Sequence, residues 1–324
     1  MTTPRTVFVT RRLPDAVESV LASEYGAVLR TDDRQLDDDE LIDALSRVDV
    51  VLCTLSDRLS RRVLLAAPPK AGLLANFGAG VDHIDLAAAR EAGIAVSNTP
   101  GVLTEDTADL TMLLILAAAR RAGEGTRELR EQTWEGWRPT HLLGTRVHGA
   151  TLGIVGFGRI GRAVARRAHG GFGMRIAYHS RHRAARDEEQ RVDARYCDDL
   201  DELLRTCDVV TLHTPATPAT HHLIGPAQLQ LMPRHAFLIN TSRGDVVDQQ
   251  ALIAALATGR IAGAGLDVFE KEPAVAPELL AIPSVFALPH LGSATIPSRV
   301  AMGECAVRNI AAFVAGQPLP NRVA

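Results

Sequence analysis

The chain has 324 residues, of which 46 % are hydrophobic and 23 % charged, and its formal net charge is −3. At about 150 residues per domain, this length predicts two domains of ordinary globular composition. The charge balance excludes the strongly basic proteins that bind nucleic acid or anionic membranes, and no apolar run approaches the roughly 20 residues that span a bilayer.

The cysteines and the first residues indicate the compartment. The chain contains four cysteines: Cys53, Cys197, Cys207 and Cys305. None forms a CxxC pair and no histidine lies at metal-finger spacing, so no metal site is predicted. They are typical of small buried side chains in a reducing cytosol. The first residues start a strand and lack the pattern of a signal peptide, so we expect a cytoplasmic protein.

Short apolar runs then alternate with helical patterns, which is typical of right-handed βαβ units and a parallel sheet. The first predicted strands are Thr6–Thr10, Val48–Cys53 and Leu73–Phe77. Pro100-Gly101 breaks the chain before a predicted helix at Thr104–Arg121, which Thr104 can cap and whose first turn carries acidic residues. We interpret this break as the first crossing between domains.

A second series of strands belongs to one further domain. They are predicted at Thr151–Val155, Met174–Tyr178, Val209–His213, Ala236–Asn240, Ala264–Val268 and Val285–Leu288. A helix at Ile160–His169, ended by Gly170-Gly171, lies between the first two. The tail, Thr295–Ala324, contains an amphipathic helix at Val300–Phe313. Because a short helix cannot fold alone, we expect the tail to pack back on the first domain.

The segment GFGRIG at 156–161 fits the GxGxxG pattern, with a predicted strand before it and a predicted helix after it. This context predicts dinucleotide binding. Gly156 permits the tight turn, Gly158 lets the pyrophosphate approach the backbone, and Gly161 lets the helix pack closely on the strand. The helix N-terminus then presents free N–H groups to the phosphates. The predicted cofactor-binding residues here are Gly156, Gly158, Arg159, Ile160 and Gly161.

The next strand, in RIAYHSRHR at 175–183, ends without the acid that usually binds the adenine ribose. Ser180 occupies that position, about 20 residues beyond the glycine turn. A carboxylate there would repel a 2′-phosphate, whereas Ser180 offers a hydroxyl and Arg181 offers a fork of N–H donors. The segment therefore predicts NADP(H) as the preferred cofactor. The alternative is a solvated basic helix start that tolerates NAD(H).

Three residues that could take part in catalysis follow strands of the second domain: Arg243 in FLINTSRG, Glu272 in GAGLDVFEKEP and His290 in FALPHLG. Open α/β sheets bind ligands at the carboxyl ends of their strands. Singly, each has an ordinary interpretation, as a surface cation, a solvated ion pair with Lys271, or a structural histidine. Together, at neighbouring strand ends beside a nicotinamide site, they favour hydride transfer with a substrate-binding cation, a proton donor and a tuning carboxylate.

At these residues the chain resembles the D-2-hydroxyacid dehydrogenase family over nearly its whole length. The matching segments are NFGAGVDHID (76–85), VLTEDTADLTMLLILAAARR (102–121), LGIVGFGRIG (152–161), LINTSRGDVVD (238–248), AGLDVFEKEP (264–273) and LPHLGSAT (288–295). Within the family, the likeness is closest to NADP(H)-dependent glyoxylate/hydroxypyruvate reductases. It lies in the segment WEGWRP (134–139) and in the HSR ending of the second strand of the cofactor domain.

The resemblance implies an α/β fold of two doubly wound parallel-sheet domains. A flavodoxin-like substrate-binding domain would comprise residues 1–100 and continue at 289–324. A Rossmann dinucleotide-binding domain would comprise residues 101–288, with the active site in the cleft between the two. The resemblance also implies a homodimer, in which the segment Glu131–Thr140 crosses to the partner and Trp134 or Trp137 approaches the neighbouring subunit's substrate. The alternative is that both tryptophans are ordinary core residues.

The resemblance also implies a role for individual residues. The carbonyl carbon of a small 2-oxoacid would receive hydride from NADPH, while protonated His290 gives a proton to the carbonyl oxygen and Glu272 helps keep His290 charged. Arg243 and the backbone N–H groups of Ala79 and Gly80 would bind the substrate carboxylate. Further residues expected to line the cofactor are Thr107, His213, Thr241 and Asp267, the last accepting from the nicotinamide carboxamide.

Other functions within and outside the family remain open at this point. One is an NAD-linked dehydrogenase of another specificity, against which Ser180 and Arg181 argue. Formate dehydrogenation is less consistent with the Glu272–His290 pair. A nucleotide-sensing protein of the same fold would do no chemistry, and fold alone cannot exclude it. The natural 2-oxoacid is not identified, since one methylene contributes only about 1–3 kcal/mol of discrimination.

Overall fold

The structure, a computed structural model, describes residues 6–324. It divides into two compact units. The first contains the residues up to Leu103 together with Ser293–Ala324, and the second contains Thr104–Gly292. The chain therefore leaves the first unit once and returns to it. Over the described range, no helix combines the length and the apolar composition that crossing a bilayer requires.

The elements follow one another in three stretches. The first unit begins with β1 (Val7–Val9), α1 (Asp15–Tyr25), α2 (Asp38–Arg47), β2 (Val50–Thr54), α3 (Arg61–Leu64), β3 (Leu73–Phe77), α4 (Leu86–Glu91) and β4 (Ala95–Ser97). The second unit contains α5 (Thr104–Ala119), α6 (Ala122–Glu131), β5 (Thr151–Val155), α7 (Arg159–Phe172), β6 (Arg175–His179), α8 (Arg186–Gln190), β7 (Arg195–Tyr196), α9 (Leu200–Thr206), β8 (Val209–Leu212), α10 (Pro226–Leu231), β9 (Phe237–Asn240), a 3-10 turn (Gly244–Val246), α11 (Gln249–Ala257), β10 (Gly263–Leu266), α12 (Pro277–Leu280) and β11 (Val285–Ala287). The chain returns to the first unit with α13 (Ile296–Val314).

Within residues 6–324, the first unit has a parallel sheet in the order β1-β2-β3-β4. Val28 adds a parallel bridge to Phe8 on the outer edge of β1. Counting that bridge as a strand gives the order 2-1-3-4-5 of flavodoxin-like folds. β3 is buried along its whole length, as expected for a parallel strand with both faces covered.

The tail helix α13 completes the core of this first unit. Met302, Ala306 and Ile310 recur at helical spacing and pack in one apolar cluster with Val17 and Leu73. After α13, Arg322 forms an antiparallel bridge with Ser97 at the end of β4. The last segment of the chain therefore extends the sheet that the first hundred residues begin.

The second unit, over the same described range, has a seven-stranded parallel sheet in the order β7-β6-β5-β8-β9-β10-β11. Its first six strands follow the 3-2-1-4-5-6 order of the Rossmann fold, and β11 adds one more. The strand order reverses between β5 and β8, and dinucleotides bind at the carboxyl ends of strands beside such a reversal. Both sheets confirm the predicted class of two doubly wound parallel-sheet α/β domains.

Three predicted helix boundaries differ from the structure, one of them the start of α13, which lies at Ile296 instead of Val300. α5 ends at Ala119, because Arg121 takes a left-handed conformation with φ of 54° and α6 begins after it. The predicted stop at Gly170-Gly171 is wrong, because α7 continues through both glycines to Phe172. It ends at Gly173, whose φ of 58° gives the left-handed cap that closes helices.

The predicted strands agree with the structure to within about two residues at each end. β4 and β7 were not predicted. They have three and two residues, and each pairs with only one neighbouring strand. Such short edge strands carry too few side chains to show a period in the sequence.

Candidate active site

The glycine turn between β5 and α7 requires glycine at two positions. Gly156 has φ of 95°, and a Cβ there would lie 2.7 Å from the carbonyl oxygen of His213. A Cβ on Gly161 would lie 2.3 Å from the carbonyl oxygen of Gly156. A Cβ on Gly158 would meet nothing within 4 Å, so this side of the turn is open to a ligand. The first N–H groups of α7, from Arg159 onward, have no helical partner and suit phosphate.

His213, at the end of β8, supplies a second sign that this edge fits a dinucleotide. Both ring nitrogens of His213 are buried and have no hydrogen-bond partner within residues 6–324. Burial lowers the pKa of His213 to about 3, so the ring is neutral. The buried Thr214 hydroxyl beside it also lacks a partner in that range. Buried polar groups are almost always hydrogen-bonded, so these atoms suit a polar ligand that completes them.

The end of β6 carries a hydroxyl where a ribose-binding acid would stand. Ser180 Oγ accepts the N–H of Phe157 in the glycine turn at 2.8 Å, which leaves its hydroxyl hydrogen free to donate. Arg181 is exposed and has no hydrogen bond or ion pair in the described part of the chain. Arg183 differs, because it pairs with Glu189 at 2.9 Å. Within residues 6–324, Arg181 therefore presents a guanidinium without a protein partner beside the glycine turn.

The three predicted catalytic residues lie together in the second unit. His290 Nδ1 is 2.7 Å from Glu272 Oε2, and the N–H of Phe269 donates to the other carboxylate oxygen at 2.9 Å. Burial alone would raise the pKa of Glu272, but the hydrogen bond and charge of His290, with the Phe269 N–H and the charge of Arg243, lower it. Glu272 is therefore ionised near neutral pH. Because Nδ1 faces Glu272, the Nε2 atom of His290 is the one available to a substrate.

Asp267 holds the turn that carries His290. Its carboxylate accepts the N–H of Leu291 at 2.7 Å and of Gly292 at 2.8 Å, and its backbone carbonyl accepts the N–H of His290 at 2.9 Å. His290 itself has φ of 55°, a left-handed conformation that costs free energy in a residue other than glycine. Burial raises the pKa of Asp267 to about 6 even though these N–H groups and His290 oppose the shift. Asp267, expected only to contact the cofactor, therefore also orients the histidine.

The residues that follow β9 bring Arg243 close to the segment of Glu272. A Cβ on Gly244 would lie 1.9 Å from the backbone carbon of Phe269, so these two stretches of backbone are in direct contact. Asn240 Nδ2 donates to the carbonyl oxygen of Arg243 at 2.8 Å and fixes the turn. Neither Gly244 nor Asn240 was among the predicted site residues, although both stand in the NTSRG segment that suggested Arg243.

Thr107 and Thr241 belong to the same network. Thr107 Oγ1 donates to the carbonyl oxygen of Gly292 at 3.0 Å. Thr111 Oγ1 donates to the carbonyl oxygen of Thr107 at 2.8 Å and lies 2.9 Å from Thr241 Oγ1. Both predicted cofactor-lining threonines are buried and linked to the turn that carries His290. Thr111 was not predicted, since a hydroxyl inside an apolar helix carries no signal of its own.

The remaining predicted residues lie in the turn after β3 and in the stretch after α6. Ala79 and Gly80 follow β3 in the first unit, where Asn98 Nδ2 donates to the Ala79 carbonyl oxygen at 2.7 Å. Trp137 lies in the irregular stretch after α6 and is 82 % exposed, and Trp134 is 51 % exposed. An ordinary core position is therefore wrong for either tryptophan in a single chain. Within residues 6–324, neither tryptophan takes part in a hydrogen bond or ring contact.

Comparison with known proteins identifies the family of the chain. The family model of the D-isomer specific 2-hydroxyacid dehydrogenase NAD binding domain matches residues 112–292. A glyoxylate reductase of Thermococcus litoralis is 44 % identical over 321 residues, which are 98 % of this chain and 96 % of that protein. The solved glyoxylate reductase from Paecilomyes thermophila has a TM-score of 0.87 at 32 % identity, covering 100 % of this chain and 99 % of that one.

A second solved structure holds ligands. The NADPH-dependent glyoxylate/hydroxypyruvate reductase of Sinorhizobium meliloti, in complex with NADP and malonate, has a TM-score of 0.87 at 33 % identity. The match covers 99 % of this chain and 97 % of that one. From the family model and from relatives that match nearly its whole length, the chain belongs to the D-isomer specific 2-hydroxyacid dehydrogenase family.

Proposed function

We propose that this enzyme reduces a small 2-oxoacid, glyoxylate or hydroxypyruvate, to the 2-hydroxyacid with NADPH, and that His290 is the proton donor. The observation that carries the proposal is the 2.7 Å contact between His290 Nδ1 and Glu272 Oε2, which leaves Nε2 for the substrate. This pair stands at the end of β11 and β10, on the sheet that carries the glycine turn. The relatives named as glyoxylate reductases support the choice of substrate.

The proton step follows from the Glu272–His290 pair. A nicotinamide cofactor, when bound, supplies the hydride that reduces the carbonyl carbon. The developing charge on the carbonyl oxygen needs a proton, and protonated His290 donates it from Nε2. Glu272, ionised because His290 and Arg243 lower its pKa, favours the charged imidazolium before the transfer. In the reverse direction, neutral His290 accepts the proton of the hydroxyacid.

Substrate binding is assigned to three groups. Arg243 supplies a guanidinium that suits a carboxylate and a carbonyl oxygen. Its turn is fixed by the hydrogen bond from Asn240 and by the backbone contact at Gly244, so its position costs little reorganisation. In the first unit, we assign the N–H groups of Ala79 and Gly80 to the substrate carboxylate.

The preference for NADPH is assigned to Ser180 and Arg181. Ser180 removes the carboxylate that would repel a 2′-phosphate, and its hydroxyl hydrogen remains free because Oγ accepts from Phe157. Arg181 is the uncommitted guanidinium of the run. The Sinorhizobium meliloti relative, which binds NADP, supports this assignment. Thr107, His213, Thr241 and Asp267 are assigned to the rest of the cofactor.

We also propose a homodimer in which the segment Glu131–Thr140 contacts the partner subunit. Trp134 and Trp137, the only tryptophans of the chain, both lie in it and are largely exposed in one chain. Leu129 and Leu143, on either side, are exposed as well. Exposed aromatic and apolar side chains that cluster in this way are typical of interfaces.

A reducing, cytoplasmic setting is the remaining part of the proposal. The four cysteines are all free and buried. Burial raises the pKa of the Cys53, Cys197 and Cys207 thiols, Cys207 to about 12, so they stay protonated and unreactive. These three thiols are therefore poor nucleophiles, and four free cysteines suit a reducing compartment.

One assay tests the function directly. Purified enzyme is given NADPH or NADH with a panel of glyoxylate, hydroxypyruvate and larger 2-oxoacids, and cofactor oxidation is followed. The proposal expects the highest kcat/KM with NADPH and a small 2-oxoacid, and loss of kcat in His290→Ala with cofactor binding retained. Equal use of NADH would remove the cofactor assignment. Absence of turnover with every 2-oxoacid would contradict the enzyme function.

A further inference from the structure

The turn that follows β3, GAG at 78–80 (the GAG turn), has the carbonyl oxygen of every residue held by a side chain. Asn76 Nδ2 donates to the oxygen of Gly78 at 3.0 Å and to that of Gly80 at 2.8 Å. Asn98 Nδ2 donates to the oxygen of Ala79 at 2.7 Å. Two asparagines thus fix three successive peptide groups.

These bonds determine where the N–H groups of the turn point. In a trans peptide, the C=O and N–H of one unit point in opposite directions. The N–H of Ala79 therefore points away from Asn76, and the N–H of Gly80 points away from Asn98. Within residues 6–324, neither N–H donates a hydrogen bond. Successive backbone N–H groups freed in one tight turn form a concave site for an anion.

Asn76 is itself held in one orientation. It is 1 % exposed and belongs to β3, opposite Cys53 in the sheet. His83 Nε2 lies 3.1 Å from Asn76 Oδ1 and donates to it, so the two hydrogens of Nδ2 face the GAG turn. An aspartate of the same size would present a second acceptor to two carbonyl oxygens.

Asn98 is supported by the tail of the chain. Its N–H donates to the carbonyl oxygen of Asn321 at 3.1 Å. The N–H of Asn321 in turn donates to Oδ1 of Asn309 at 3.0 Å. Asn309 is fully buried in α13. The GAG turn is thus braced from β3 on one side and from the tail on the other.

We propose that Asn76 is a positioning residue for the substrate carboxylate and that Asn98 is a second positioning residue of the same turn. Neither touches the substrate. Each holds carbonyl oxygens of the GAG turn so that the N–H groups of Ala79 and Gly80 are already aimed at the carboxylate when it arrives. The inference rests on the proposed function, which assigns the 2-oxoacid carboxylate to these two N–H groups.

The test compares Asn76→Asp and Asn98→Ala with the wild type and with Ser97→Ala. Ser97 adjoins Asn98, but its hydroxyl takes no part in holding the turn, so it serves as the matched control. KM and kcat are measured with glyoxylate and NADPH. The Kd of oxalate, an unreactive carboxylate probe, is measured by calorimetry on the cofactor-bound enzyme, and the Kd of NADPH by fluorescence. Thermal unfolding reports whether each variant is folded.

Losing the orientation of one hydrogen bond to a charged group corresponds to about a 10- to 150-fold change in affinity. We expect KM and the oxalate Kd to rise within this range in both asparagine variants. We expect kcat to change far less, because uniform carboxylate binding is lost. The NADPH Kd and the Ser97→Ala variant should match the wild type.

An unchanged oxalate Kd in a folded Asn76→Asp protein overturns the inference. If that variant does not fold, Asn98→Ala decides in its place. A wild type that does not reduce glyoxylate contradicts the proposed function instead, and the oxalate Kd then decides on Asn76 alone. A wild type that does not bind oxalate overturns the positioning role.

Discussion

Arg183 and Glu189 form a two-pronged ion pair, with Nε and Nη2 of the arginine each 2.9 Å from a carboxylate oxygen. Tyr178 adds a hydrogen bond to the same carboxylate at 2.6 Å. The arginine lowers the pKa of Glu189, so the pair stays charged and mutually satisfied. Arg181, two residues earlier, has no such partner among residues 6–324. Of these two neighbouring arginines, Arg183 is therefore committed to the protein and Arg181 is available to a ligand.

These two arginines give a matched test of cofactor preference. We expect Arg181→Ala to weaken NADPH binding about 10- to 150-fold and to leave NADH nearly unchanged, because only NADPH carries the 2′-phosphate. Arg183→Ala should affect the two cofactors equally. Ser180→Asp combined with Arg181→Ala should reverse the preference, and the loss for NADPH should shrink as salt rises. Titration of both cofactors by fluorescence measures these changes, and an equal effect of Arg181→Ala on both would contradict the assignment.

Glu272→Gln should move the pH dependence of reduction. Glutamine still accepts from His290 Nδ1 but lacks the charge that favours the imidazolium. Under the proposed mechanism reduction needs the protonated ring, so kcat/KM should fall off at a lower pH than in the wild type. Glu270→Gln is the control, since Glu270 contacts His222 and the N–H of Gln249 instead. An unchanged profile in Glu272→Gln would show that Glu272 does not tune this histidine.

Asp267→Asn should change how stability depends on pH. The folded protein raises the pKa of Asp267 to about 6, above the unfolded value of about 3.9. Between these values the folded state holds a proton that the unfolded state has lost, so the wild type loses stability as pH rises from about 4 to 6. The variant lacks this loss. Urea unfolding at several pH values should therefore show that the free energy of unfolding of Asp267→Asn rises relative to that of the wild type as pH rises from about 4 to 6.

Gly244→Ala and Gly170→Ala should have opposite effects on unfolding. The new Cβ at Gly244 would overlap the backbone of Phe269, which cannot yield as a side chain can. We expect a loss of about 1–3 kcal/mol or more, together with lower kcat/KM because Arg243 is displaced. Gly170 is an exposed position within α7, where a new Cβ would meet no atom within 4 Å. Alanine there should stabilise the protein by about 1 kcal/mol. Thermal melts and glyoxylate kinetics measure both, and a stable, active Gly244→Ala would refute the close contact.

The proposed homodimer can be followed through the two tryptophans of each chain. Trp137→Ala should shift the protein toward monomer in light scattering, whereas Leu280→Ala, an exposed apolar change outside the segment, should not. Dilution of the wild type should move tryptophan emission to longer wavelength as both rings enter water. A dimer whose emission stays constant on dissociation would show that Glu131–Thr140 lies outside the interface.

The strands were predictable because parallel strands with both faces covered are continuous apolar runs, as in β2 and β3. The same holds for the glycine turn, whose pattern is contiguous in sequence. Contacts between residues that are far apart in the chain have no contiguous sequence pattern. Asn98 holds Ala79, and Gly244 meets Phe269, yet nothing near either residue in the sequence indicates its partner.

The sequence also did not show which charged side chains are paired within the protein. Arg181 and Arg183 are interchangeable as letters, and only the fold shows that Glu189 occupies the second. Asp267 was likewise predicted only as a cofactor contact, and the structure adds that its carboxylate accepts two N–H groups of the turn that carries His290. The sequence identified the residue types at the strand ends, but their hydrogen-bond partners required the structure.

The return of the chain to its first unit sets an order of assembly during synthesis. Val96 in β4 donates to the carbonyl oxygen of Ala324 and accepts the N–H of Val323. The ribosome adds these partners, and α13, only after the whole of Thr104–Gly292. That stretch is continuous and can fold as it emerges, since domains generally fold as units. A nascent chain halted there would hold a complete nucleotide-binding unit, while its first hundred residues would still lack α13 and expose the apolar side chains that α13 covers.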